Sequence, residues 1–154
     1  MAEFYGTGRI VFGDQLESQY NPNRQVETLQ SPDVTEVRLQ RNRLGHYVTS
    51  GTINNRPVTF LLDTGATGVA IPARIAKTLD LKQGRPIATR TANGTATSYL
   101  TRLNSVSVGG VSVDNVSATI APGLRGDEIL LGMSFLKHIE FTQRGDMLIL
   151  RQYP

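Results

Sequence analysis

The sequence predicts a mostly β barrel or sandwich carrying one or two short helices. Three observations say so: short β-branched and aromatic runs recur between turn pairs, two runs are wholly apolar, and helical spacing occurs in only two places.

Residues 1–33 hold Gly6, Gly8, Gly13, Asn21, Pro22, Asn23 and Pro32 among isolated apolar residues, and no period of 2 or 3.6 persists there. This segment reads as a flexible arm or linker with one short strand around Arg9 to Phe12, ahead of a domain spanning 34–154. From Val34 the signal changes. Val34, Val37 and Leu39 lead into a hairpin of His46 to Ile53 and Pro57 to Leu62 around the turn pair Asn54-Asn55. It ends in Phe60, Leu61 and Leu62, a continuous apolar run that predicts burial on both faces. Pro72 to Leu79 reads as a helix, because Pro72 suits a first helical position and Ile75, Ala76 and Leu79 share a face; Gly84 and Pro86 prevent its continuation.

Strands then return. Ile87 to Thr91 and Thr95 to Leu103 flank Asn93-Gly94, a pair suited to a two-residue type I′ turn. Val106 to Val108 and Val111 to Ile120 flank Gly109-Gly110, and Ile129 to Leu131 is the second apolar run. Residues 133–138 allow one or two helical turns, and Glu140 to Thr142 and Met147 to Leu150 close the chain around Arg144-Gly145-Asp146. That tripeptide reads as a hairpin turn. Turn chemistry likewise accounts for the Asn-x-Ser/Thr patterns at Asn93 and Asn115.

A chain of 154 residues can bury about 70% of its unfolded surface, enough for one core. It contains no cysteine and two histidines, His46 and His138, far apart in sequence. Disulfide scaffolds, thiol nucleophiles and thiolate metal sites are excluded, a histidine metal site has too few ligands, and no metal or cofactor is expected. The net charge is +3, and the densest basic group, Arg38, Arg41 and Arg43, has no interleaved aromatics, so no nucleic-acid partner is expected. Gly6-Thr7-Gly8 lacks the later glycine and lysine of a phosphate loop. No run of about 18 apolar residues and no basic-then-apolar start occurs, so this chain is expected to make no membrane contact of its own.

The stretch that carries chemistry is Phe60-Leu61-Leu62-Asp63-Thr64-Gly65-Ala66-Thr67-Gly68. An acid after three buried-type residues is costly to ionise unless it is compensated or used. Gly65 permits a sharp turn and leaves amide donors near the carboxylate, and Thr64 supplies a hydroxyl able to lock that turn. A bare Asp-Thr-Gly also occurs as an ordinary polar turn at a strand end.

In context, Phe60 to Thr67 resembles the active-site loop of aspartic proteases, Thr91-Ala92-Asn93-Gly94-Thr95 looks like their flap hairpin, and Ile129-Leu130-Leu131-Gly132 is similar to the element preceding their final helix. The three occur in the family's order over about residues 44–152, and the match is to the single-domain retropepsin-like enzymes. The resemblance implies a closed β-barrel of acid-protease type, with Asp63 as catalytic acid/base, Thr64 bracing two loops across a dimer, and Gly65 allowing close approach. It places Ala66, Ala92, Asn93, Gly94 and Thr95 against a polypeptide substrate bound in extended form, with Asn93 and Gly94 at a flap tip. Thr67 and Gly68 depart from the viral pattern, where an acid and then Asn or Asp are usual. Ala66 stands where pepsin-like enzymes carry a hydroxyl, implying a less acidic pH optimum than theirs. Bacterial members are often tethered to the inner membrane and face the periplasm, which implies that compartment and an N-terminal anchor removed from this chain, with the cytoplasm as alternative.

The chain has one Asp-Thr-Gly: Asp80, Asp114, Asp127 and Asp146 are not followed by Thr-Gly or Ser-Gly. Hydrolysis of this kind needs two carboxylates, so the second must come from another copy across a two-fold axis. At about 3 Å and an effective dielectric of about 20 the two would repel by roughly 5 kcal/mol, so the pair would hold one proton. The expected activity is therefore that of an aspartic endopeptidase working as a homodimer. The alternatives are a peptide-binding module of the same fold that does not cut, and a dimerisation domain in which Asp63 only organises a turn. The same resemblance implies chain ends interleaved at the dimer interface; Leu148 and Leu150 would serve there or in an ordinary sheet.

Overall fold

The computed structural model describes residues 20–91 and 94–154. Its central feature is a closed barrel. Strands β3 (Val48–Ile53) and β4 (Arg56–Leu62) form the expected hairpin, Val48 opposite Leu61. Asn54 and Asn55 both take left-handed backbone, φ 51° and 67°, the conformation a type I′ turn needs at its two central positions. The far side of β4 pairs in parallel with β9 (Glu128–Leu131), so the two apolar runs lie side by side, Phe60 against Ile129. From β9 the ladder passes to β5 (Val69–Pro72), β8 (Val111–Ala121) and β7 (Gly94–Val108). It closes where Ser107 and Val106 of β7 meet Thr52 and Ile53 of β3.

Closure brings two backbones unusually near. A Cβ on Gly51 would lie 2.4 Å from the Ser107 carbonyl oxygen and 2.6 Å from the Phe60 ring, so only glycine lets β3 meet β7 over that ring. Ile53, Phe60, Val69, Ile71, Leu103, Val106, Ile129 and Leu131 are fully buried in the core. Leu61 and Leu130, which alternate with the buried residues of the two runs, are only half-buried, short of the two-sided burial expected, because barrel strands bury one face fully and leave the other at the outside of the wall. Leu62, on the inward face, is half-buried and packs against the core at the end of its strand.

Among the described residues strand β6 (Pro86–Thr91) pairs only with β7, Thr91 opposite Gly94. Gly94 thus belongs to the strand, φ 115°, where the sequence suggested a turn centred on Asn93-Gly94; residues 92 and 93 lie outside the described residues. β7 runs for fifteen residues without a break, where two separate strands were expected. The polar interruption that suggested a break is held by a side chain, because the Asn54 carboxamide oxygen accepts the Asn104 and Ser105 amides at 2.8 and 3.2 Å. Asn115, across from Asn104, takes φ 59° inside β8 and not in a turn.

A second sheet packs on the barrel in the order β1 (Glu27–Gln30), β2 (Thr35–Gln40), β11 (Met147–Gln152), β10 (Glu140–Arg144). Its inner face sends Val37, Leu39, Leu148 and Leu150 into the core. β11 lies between β2 and β10 of the same chain, so Leu148 and Leu150 serve the sheet, and both edges of β11 are taken. On the outer face Glu36 is held by Arg38 at 2.7 Å and Arg151 at 2.8 Å. The two arginines, Arg151 foremost, hold its carboxyl below the usual carboxylate range. Arg144-Gly145-Asp146 is a hairpin turn as expected, with Gly145 at φ 62° and Asp146 paired to Arg41.

Residues 20–33 carry more order than an arm. β1 pairs along its whole length with β2, and the Asn23 carboxamide bridges two strands that flank it, donating to Gln40 O (2.9 Å) and Val48 O (2.8 Å) and accepting from Gln40 N (2.8 Å). Polar anchoring of this kind leaves no apolar period to read. The expected strand near Arg9 and the Gly6-Thr7-Gly8 segment lie outside the described residues.

Among the described residues two short helices complete the fold. α1 (Ala73–Thr78) buries Ala76, with Pro72 at its N-cap and not its first turn, and Asp80 beyond its end at φ 56°. α2 (Met133–Leu136) buries Phe135 and Leu136.

Candidate active site

Asp63 stands where β4 leaves the sheet. Its backbone amide donates to Leu131 O (3.0 Å), one step beyond the last β4–β9 pair, Leu62 with Leu131. The loop then folds on itself. Gly65 N donates to Asp63 Oδ1 (2.9 Å) and Ala66 N to Asp63 O (3.1 Å), so the side chain and carbonyl of one residue cap the turn that carries it. Asp63, Thr64, Gly65 and Thr67 are exposed, and Ala66 and Gly68 are half-buried. Burial of the carboxylate, which the preceding apolar run suggested, is not found: the run ends inside the wall at Leu62 and the acid lies beyond it.

The second apolar run supports the loop from behind. Met133 N donates to Ala66 O (2.9 Å), and Gly132 sits so close that a Cβ there would lie 2.3 Å from Gly68 O and 2.6 Å from Ala66 O. Next along, Ser134 Oγ donates to Ser117 O (2.9 Å), tying α2 to β8. The sequence offered little sign of this support beyond a glycine directly after an apolar run. Leu62 N donates to Tyr47 O (2.9 Å), which fixes the last residue before the acid.

Of the residues expected at the site, the structure joins Asp63, Thr64, Gly65 and Ala66 in one loop. Gly94 and Thr95 open β7 on the β6–β7 hairpin and are exposed, while Ala92 and Asn93 lie outside the described residues. Tyr99 is half-buried against the core, opposite Pro86 and Ile120, as a packing residue would be. Three other aspartates are committed elsewhere, Asp80 to Arg56, Asp127 to Arg74 and Asp146 to Arg41. His46 and His138 are exposed, and among the described residues no group of three or more His, Cys, Asp or Glu could hold a metal ion. A single chain therefore presents Asp63 as one carboxylate on a braced, solvent-facing loop.

Residues 49–138 match the family described as gag-polyprotein putative aspartyl protease. An uncharacterised protein of Sinorhizobium sp. is 34% identical over 144 residues, covering 91% of this chain and 62% of its own length. An uncharacterised protein of Rickettsia prowazekii is 33% identical over 124 residues, covering 78% of this chain and 53% of its own. The chain thus spans 62% and 53% of the length of these relatives. Among solved structures, a retropepsin-like aspartic protease from Rickettsia conorii superposes with TM-score 0.67 at 33% identity, covering 83% of this chain and 96% of that one. The EIAV protease complexed with the inhibitor HBY-793 has the same fold, with TM-score 0.52 at 20% identity over 64% of this chain and 92% of that one.

Proposed function

Because the chain belongs to the gag-polyprotein aspartyl protease family and has the retropepsin-like barrel, we propose that it is an aspartic endopeptidase whose reaction centre forms from the Asp63 carboxylates of two copies. The observation that carries this reading is the Asp63 loop: an exposed acid at the end of a barrel strand, its carboxylate accepting the Gly65 amide and its carbonyl the Ala66 amide, with no second Asp-Thr-Gly in the chain.

In the proposed reaction the two carboxylates share one proton. The ionised member takes a proton from a water lying between them, and the water oxygen attacks the peptide carbonyl carbon. The protonated member hydrogen-bonds the carbonyl oxygen and donates its proton as the tetrahedral diol forms. The diol then collapses: the C–N bond breaks, the amine leaves with a proton from the acid that gained one, and the other carboxylate takes a proton from one diol hydroxyl, leaving a carboxylic acid and a pair that again holds one proton. No covalent enzyme adduct arises. Thr64 would brace the paired loops, and Gly65 and Ala66 would leave room for the substrate backbone. The β6–β7 hairpin, with Gly94 and Thr95 opening its second strand, would close as a flap over an extended peptide.

The periplasm, with a membrane tether on the full-length protein, is the proposed compartment. Among the described residues no helix is long and apolar enough to cross a membrane. Cell fractionation with an antibody to the barrel decides between periplasm and cytoplasm.

The test of function is incubation with a mixed peptide library beside Asp63→Asn and a statine-type transition-state analogue. Cleavage should be abolished by either. Asp63→Asn keeps an oxygen that can accept the Gly65 amide, so its unfolding free energy should stay within about 1 kcal/mol of the parent. Cleavage that survives the substitution refutes the mechanism. Binding without cleavage by the parent protein supports the non-catalytic peptide-binding reading instead.

A further inference from the structure

The start of α1 and the loop between β8 and β9 enclose a cavity of about 330 Å³, and none of its lining belongs to the Asp63 loop. Ligand pockets span about 300–1,000 Å³, so this one has room for a side chain or two and not for a large cofactor. Pro72, Pro122 and Leu124 are among its walls, and the two prolines have no N–H to donate. Its charge comes from Arg74 and Arg125.

The two arginines are held differently. Arg74 Nη2 donates to Gly126 O (3.2 Å) and to Asp127 Oδ1 (2.5 Å), which orients the guanidinium and leaves Nε and Nη1 without a partner among the described residues. Arg125 is exposed and makes no hydrogen bond or ion pair to a described residue. Asp127 neutralises Arg74, so the three groups together keep one positive charge, that of Arg125. Arginine forks match planar carboxylates, and here one fork is already oriented while the other is uncommitted.

The ladder relates this cavity to Asp63. Val69 and Ala70 of β5 lie opposite Leu131 and Leu130 of β9, and the same antiparallel register carried onward sets Arg74 opposite Gly126, the residue it bonds. At the other end of β9, Leu131 O accepts the Asp63 amide. The five steps from Leu131 back to Gly126 span about 16 Å at the rise of a strand, a distance that an extended peptide covers in about four or five residues.

We propose that the cavity between Arg74 and Arg125 takes an acidic side chain of the polypeptide substrate, about four or five residues from the bond cut at Asp63. The proposal rests on the reading that Asp63 cuts extended peptides, and it adds the class of substrate: segments with Asp or Glu at that distance. With one cavity on each of two copies, the acid would count on either side of the bond.

Two measurements on one random peptide library test it. In the first, the parent protein cuts the library, and the products are sequenced and aligned on the broken bond. Asp and Glu should be enriched about fivefold over Asn and Gln at about four or five residues from the bond, and Arg125→Glu should favour Lys and Arg there instead. In one well-cut peptide, exchanging that Glu for Gln should raise KM about fivefold and leave kcat within about twofold. In the second, immobilised Asp63→Asn captures the library without cutting it. The captured pool should show the same preference for acids, reversed when Arg125→Glu is added. Arg102→Glu makes the same charge change on the exposed side of β7 and should leave both pools like the parent's. Circular dichroism checks that every variant is folded. Pools without acid enrichment, enrichment at another distance, or enrichment that survives Arg125→Glu or is lost equally with Arg102→Glu overturns the proposal. Acid-dependent capture by a protein that cuts nothing upholds the cavity and refutes catalysis; cleavage with no acid preference in either pool does the reverse.

Discussion

Gly132→Ala tests whether the Asp63 loop is positioned from behind by the end of β9. Gly132 has φ −104° and ψ −158°, extended backbone open to any residue, so the substitution carries no conformational penalty and its effect is purely steric. The added methyl would lie 2.3 Å from Gly68 O, 2.6 Å from Ala66 O and 2.9 Å from Ala66 Cβ. Ordinary contact needs the loop to retreat by about 1 Å, since two of these neighbours are backbone oxygens and the third an alanine Cβ, none of which can rotate away. Overpacking of this kind costs about 1–3 kcal/mol, and loss of the Met133 N to Ala66 O bond adds about 1 kcal/mol. The expected destabilisation is about 2–4 kcal/mol, or roughly 5–15 °C in Tm for a domain of this size. Urea unfolding followed by circular dichroism measures it, with Gly123→Ala as control, since nothing lies within 4 Å of a Cβ there. Under the proposed function, a 1 Å shift of the catalytic loop should also lower peptide cleavage on the order of a hundredfold. A Gly132→Ala protein as stable as the Gly123→Ala control would refute the steric argument, whatever its activity.

Three further outcomes are expected. Asn23→Ala removes hydrogen bonds to Gln40 N, Gln40 O and Val48 O and should cost about 2–4 kcal/mol in urea unfolding; a loss under about 0.5 kcal/mol would mean that the 20–23 segment is not anchored there. Because Arg151 and Arg38 hold the Glu36 carboxyl below its ordinary value of 4.5, the folded protein binds fewer protons than the unfolded chain in that range. The stability this lends is complete above about pH 4.5 and declines as pH falls toward the depressed value, so Glu36→Gln should flatten the fall in Tm between about pH 5 and 3; parallel curves would contradict it. Peptide hydrolysis should peak above about pH 3, as Ala66 gives the carboxylate no hydroxyl at the position where pepsin-like enzymes have one, and a maximum below that would contradict the reading.

What the sequence disclosed follows from which interactions are local. Asn54-Asn55 and Arg144-Gly145-Asp146 are legible because a turn is decided by residues next to one another. Phe60 to Leu62 and Ile129 to Leu131 are legible as strands, but their parallel pairing is not, since partners nearly seventy residues apart leave no mark in either run. Asp63 could be singled out by its neighbours, yet its exposure depends on where β4 leaves the wall, and that is set by Leu131. The segment before Val34 misled because Asn21 and Asn23 are buried through hydrogen bonds, and polar burial has no hydrophobic period. β7 seemed two strands for a similar reason: the polar residues near Asn104 are held by Asn54, fifty positions away.

Within the chain, the Asp63 loop is shaped by the acid's amide donating to Leu131 O, by Gly65 and Ala66 donating back onto the acid, and by Met133 N donating to Ala66 O. What one chain leaves unfinished is different in kind. Its carboxylate has no second Asp-Thr-Gly to face. Under the proposed function a second copy, related by a two-fold axis, would supply the other Asp63. Assembly would then act on the chemistry by setting a second carboxylate beside the first, so that the pair can hold one proton.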